Sequence, residues 1–108
     1  EKQNTIDTSD QIEDLKITVR SLNKEDIKNR KLPNQTTGLV ITSIQNNSPL
    51  ASSIEVNSVI VEAQKERIKT IDDLKQITKQ VLNSNQKTIL LAIYNNQNQR
   101  RYIGIKLD

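Results

Sequence analysis

Four serines, Ser48, Ser52, Ser53 and Ser58, lie close together in the middle of this 108-residue chain, and a serine hydroxyl becomes a nucleophile wherever a base can take its proton. The chain has no His and no Cys, so neither a Ser-His-Asp triad nor an imidazole or thiolate metal site can be built from it. Residue types alone leave a Ser-Lys dyad open. Asp72 and Asp73 form a carboxylate pair, but they follow Thr70-Ile71 at the head of an apolar stripe, where they suit a helix N-terminus, and no further ligands stand at cation-binding spacing. The expectation is no catalytic residue, no metal and no cofactor.

Charge patterning narrows the partners. The net charge of +3 comes from 16 basic and 13 acidic residues that interleave along the chain, which describes a solvated surface. Arg30-Lys31 and Arg100-Arg101 stand out, but a nucleic-acid surface needs a broader basic stripe and stacking aromatics, and the chain has two Tyr and no Phe or Trp. Nucleic acid is therefore not an expected partner. No apolar run approaches a membrane span and the polar N-terminus is no signal peptide, so direct membrane insertion is not expected either.

Such side chains need a scaffold, and the pattern predicts a mainly β one with two or three helices and a core of Ile, Leu and Val. Residues 1–11 are polar apart from Ile6 and read as a linker, with one domain over 12–108. Residues 15–19 alternate in strand period. Asn23, with Asp26 three residues on, caps a short helix over 24–29. A strand over 38–44 carries the run Leu39, Val40, Ile41, which predicts burial on both faces. Ser48-Pro49 reads as a helix start. Strands follow over 59–63 and at 67–68, and Thr70 with Asp73 caps an amphipathic helix whose stripe is Leu74, Ile77 and Val81. The chain turns at 83–86 and ends in a hairpin of 87–94 and 100–107.

The early strand 15–19 (LKITV), the segment 38–51 (GLVITSIQNNSPLA), the strand 59–63 (VIVEA), the segment 68–74 (IKTIDDL) and the terminal 103–107 (IGIKL) resemble, in this order and spacing, a bacterial PDZ domain. They are most similar to the second, C-terminal PDZ domain of the Deg/HtrA serine proteases of DegP type. The resemblance implies a small, partly open β-barrel or sandwich capped by a long helix. It also implies a periplasmic location, with catalysis in a trypsin-like domain upstream. This chain would then be a noncatalytic module for oligomer assembly and substrate-peptide handling in protein quality control. Its partners would be unfolded or C-terminal peptide segments and the PDZ domains of neighbouring subunits. A peptide-binding adaptor module of another envelope protein, a secretion component or an intramembrane protease, is the alternative.

Family PDZ domains take an extended peptide by strand addition, with loop amides holding its carboxylate. Carried over to this sequence, the loop is Asp14, Leu15, Lys16 and Ile17, the receiving edge strand runs over 17–21 through Thr18 and Val19, and the groove face of the long helix is Ile71, Lys75 and Thr78. Lys16 stands where the family has Gly, so it either obstructs a carboxylate or pairs with it. Asn57-Ser58 stands where the family has Gly-Asp, and Asn57 is expected in the left-handed conformation.

Overall fold

The computed structural model describes residues 10–85 and 87–107. Residues 1–9 of the expected linker, Gln86 of the expected turn and the terminal Asp108 lie outside the described residues. In chain order the elements are β1 (Asp10–Ile12), β2 (Ile17–Ser21), α1 (Lys24–Arg30), β3 (Leu39–Ile44), β4 (Val59–Ala63), β5 (Glu66–Arg67), α2 (Ile71–Leu82), β6 (Thr88–Tyr94) and β7 (Arg100–Lys106). Every strand pairing is antiparallel, and the sheet runs β1-β2-β3-β4-β6-β7, with β5 paired to β4. Among the described residues the two ends of that path do not pair with each other, so the sheet is not a closed barrel.

Two irregularities bend the sheet. The β2–β3 register passes from Thr18↔Ser43 to Val19↔Ile41, which leaves Thr42 as an extra residue whose hydroxyl donates to the Thr18 carbonyl at 3.2 Å. The β4–β6 register passes from Ile60↔Ile93 to Glu62↔Ala92 and leaves Val61 extra. A bulge of this kind kinks its strand and strengthens the local twist. The curved sheet wraps a main core of Ile, Leu and Val that includes Leu74, Ile77 and Val81 of α2. A second cluster, Val40, Val59, Val61 and Ala92, covers the other face, so Leu39, Val40 and Ile41 are buried on both sides as their continuous run implies.

Both helices begin as their sequences dictate. Asn23 accepts the Asp26 amide and Asp26 takes the Asn23 amide in return, and Thr70 and Asp73 form the same reciprocal box at α2. Asp26 also receives a two-pronged Arg20 guanidinium at 2.6 and 2.9 Å, which ties the end of β2 to the start of α1. Gly38 is required by close approach: a Cβ there would stand 2.5 Å from the Ile60 carbonyl oxygen, a backbone atom that cannot swing away.

The helix expected at Ser48 does not form. Residues 49–53 are a run of turns, in which the Ser48 hydroxyl accepts the Leu50 amide at 3.0 Å while donating to the Leu15 carbonyl at 2.6 Å. The hydroxyl caps a turn and anchors a distant loop, and Pro49 has no helix to start.

Candidate peptide-binding site

The loop over 13–16 is a tight turn held from both sides. Its Leu15 and Lys16 amides donate to the Ile12 carbonyl at 3.1 and 2.8 Å. Its own carbonyls are held by Ser48 Oγ, on Leu15, and by the Gln45 amide, on Lys16 at 3.0 Å. Lys16 has φ 56°, the left-handed region in which an L residue costs about 1–2 kcal/mol and Gly nothing, which accounts for the Gly that the family pattern places there. Its side chain borders a shallow cleft of about 360 Å³ together with Asp14, Pro49, Ser53 and Lys106. Asn57 is likewise left-handed, with φ 78°.

Of the residues expected to bind peptide, Leu15, Ile17 and Val19 are buried in the core, and Thr18 is half-buried on the other face of β2. On α2, Ile71 packs at the rim of the core. Thr78 is fully buried, and its hydroxyl donates to the Leu74 carbonyl at 2.7 Å, one turn back in its own helix. Lys75 is partly exposed, and its ammonium meets Asp10 Oδ2 at 2.6 Å. Of those three residues, Lys75 is the one whose side chain meets the N-terminal strand, through Asp10.

One expectation is overturned. β2 is not an edge: β1 pairs with it in antiparallel register, Asp10↔Val19, Gln11↔Thr18 and Ile12↔Ile17, on the side away from β3. Asp10 and Gln11, read from their polarity as linker, belong to this strand. Ile12 is 1% exposed and joins the main core. The strand has one apolar residue, so no alternation announces it, and the polar run before it hides the signal.

The Lys75 contact sets the local electrostatics. Asp10 is held below its ordinary value chiefly by the hydrogen bond from Lys75, then by the Gln11 amide, and Lys75 is raised chiefly by the same contact with Asp10. Both groups are solvent-exposed, so the pair orients more than it stabilises.

The remaining candidates are accounted for by packing. Asp73 accepts the Lys69 and Thr70 amides, each at 3.0 Å, as a helix cap does. Arg100 meets Glu62 at 2.6 Å and lies over the Tyr102 ring, on the solvated side of the terminal hairpin. Ser48 is engaged with backbone. Ser58 is buried, and its Oγ has no hydrogen-bond partner among the described residues, hence no base against it. No group of three or more Asp or Glu is placed to hold a metal ion, and no helix is long and apolar enough to cross a membrane, among the described residues.

This architecture, a curved antiparallel sheet of seven strands with a long capped helix across it and a short one at its side, is PDZ-like. It is similar to part of a solved HtrA-type protease, AlgW, determined with a decapeptide: TM-score 0.64, 16% identity, covering 94% of this chain and 29% of that one. The chain thus spans less than a third of the protease it matches. No protein-family model matches the sequence, and no curated protein matches it. The fold is that of a domain found in an HtrA-type protease.

Proposed function

We propose that this chain is a noncatalytic PDZ domain of a periplasmic, DegP-like serine protease, handling peptide segments and contacts between subunits in protein quality control. One observation carries the reading: the Leu15 and Lys16 amides converge on a single oxygen at the head of β2, a strand that α2 contacts. That is the arrangement a strand-adding peptide with a terminal carboxylate requires. The site residues are Leu15, Lys16, Ile17, Thr18 and Val19 on the loop and strand, with Ile71, Lys75 and Thr78 on the helix. The likeness to a protease solved with a decapeptide supports the same reading. Proteolysis would belong to the parent chain, since no His or Cys is present here.

Two measurements test it. A peptide array with free and amidated C-termini should show preference for free carboxylates, with dissociation constants of about 10–100 μM. Indifference to amidation would sink the loop's role. In the parent protein, deletion from Ile12 onward should leave cleavage of a small peptide intact and prevent large substrate-loaded assemblies, as seen by size-exclusion chromatography with light scattering. Unchanged assembly would remove the contact between subunits.

A further inference from the structure

The proposed groove already holds a peptide, and the peptide is the chain itself. β1 runs antiparallel to β2 with its C-terminal end at the loop, the direction a C-terminal ligand must take. Ile12, its last residue, buries its side chain and gives its carbonyl to the Leu15 and Lys16 amides, which are the donors a carboxylate would use. Two residues earlier, Asp10 reaches across to Lys75 of α2. Gln11 between them points to solvent. We propose that β1 is a resident ligand, and that the groove is occupied from outside by peptides that copy it: a terminal aliphatic residue with a carboxylate side chain two positions upstream.

This rests on the peptide-handling reading above and adds what the groove selects and what it must first release. A carboxylate offers the two amides a full charge where Ile12 offers a neutral carbonyl, so an external C-terminus has the stronger group for that position. The internal strand has the advantage of attachment, which keeps its effective concentration high. Apparent affinity is therefore lowered by the fraction of molecules in which β1 is seated.

The chain has no cysteine, so a Gln11→Cys/Thr18→Cys pair can staple β1 to β2 at directly opposed positions without competing thiols. The probe is a fluorescein-labelled hexapeptide ending Asp-Gln-Ile with a free carboxylate, read by fluorescence anisotropy on the full chain. Closure of the staple is confirmed by thiol titration. The reduced protein should bind it at least about tenfold more tightly than the oxidised one, and reductant should restore binding. A Lys-Gln-Ile probe should bind several-fold more weakly than Asp-Gln-Ile, and Lys75→Met should erase that difference. Gln11→Pro, which disfavours the strand without a crosslink, should bind more tightly than the natural chain. Equal binding by oxidised and reduced forms, with the carboxylate preference kept, would overturn the resident ligand and leave the groove reading standing. No binding by any form, Gln11→Pro included, would overturn both.

Discussion

Two hairpins bound this sheet, and they are built to different standards. β6 and β7 pair at seven positions, from Thr88↔Lys106 to Tyr94↔Arg100, and β6 also pairs with β4 on its other edge. β1 and β2 pair at three positions, and the β1 side contributes one buried side chain, Ile12. Burying one Ile contributes about 1.5–3 kcal/mol, while ordering three residues costs about 1–2 kcal/mol each, so the one side chain offsets only part of the cost of docking β1 and the rest falls to its contacts with β2 and α2. Ile89, Leu91 and Ile93 of β6 are all buried in the main core, on a strand that is paired along both edges. Strand pairing is therefore scaffold at one end of the sheet and an exchangeable contact at the other, and the number of side chains each strand buries separates the two.

The largest expected effect tests that separation. Leu91→Ala removes a fully buried side chain from the scaffold hairpin and should cost about 2–5 kcal/mol, read as a lower urea midpoint. Ile12→Ala removes a side chain almost as well buried, but the chain can lose no more than what docking β1 contributes, so its cost should stay near 1 kcal/mol. Equal losses at the two sites would make β1 as integral as β6.

The same contrast explains what could be read from the sequence. Long, strongly patterned elements were legible: β4, the caps Asn23 and Thr70, the stripe of α2 and the two-sided burial of β3 all follow from periodicity and local hydrogen-bond chemistry. β1 was not, because a three-residue strand with one apolar residue has no period to detect and is specified by the neighbour it meets. Ser48 failed for a related reason. Its type and its following Pro suit a helix cap, but its partner, the Leu15 carbonyl, lies 33 residues away, and no local pattern encodes it. The loop and α2 positions of the candidate site were placed by resemblance. The strand that fills the site was visible only once β2 had a second edge.

A smaller effect compares two turns that share a backbone conformation but not a residue type. Lys16 and Asn57 are both left-handed, and Asn accommodates that region through its short polar side chain better than Lys does. Lys16→Gly should stabilise by about 1 kcal/mol and Asn57→Gly by about 0.5 kcal/mol or less, once the added chain entropy of Gly is subtracted. Melting temperatures should rise in that order. A fall at Asn57→Gly would mean that its side chain holds the turn, and a fall at Lys16→Gly would mean that the lysine stem packs on the β1–β2 hairpin.

The smallest effect is a matter of pH, confined to the weaker hairpin. Asp10 is lowered in the folded protein chiefly by the hydrogen bond from Lys75. A carboxylate lowered on folding stabilises fully above its ordinary value of 3.8, and that contribution is lost as pH falls through the lower folded value. Acid should therefore loosen β1 from β2, and added salt should weaken the pair at neutral pH, because both groups lie open to solvent. The amide signals of Thr18 and Val19, opposite Gln11 and Asp10, report the docking directly in an NMR titration from pH 6 downward. Asp26 and Asp73 are also lowered, by Arg20 and by the Lys69 amide respectively, so acid acts on both helix caps over the same range. Asp10→Asn separates the contributions: it should remove the acid response at Thr18 and Val19 while the signals of Asp26 and Asp73 titrate as before. If Thr18 and Val19 respond to acid equally well without the Asp10 carboxylate, the response belongs to another titrating group, and the preference for an upstream acidic residue loses its support.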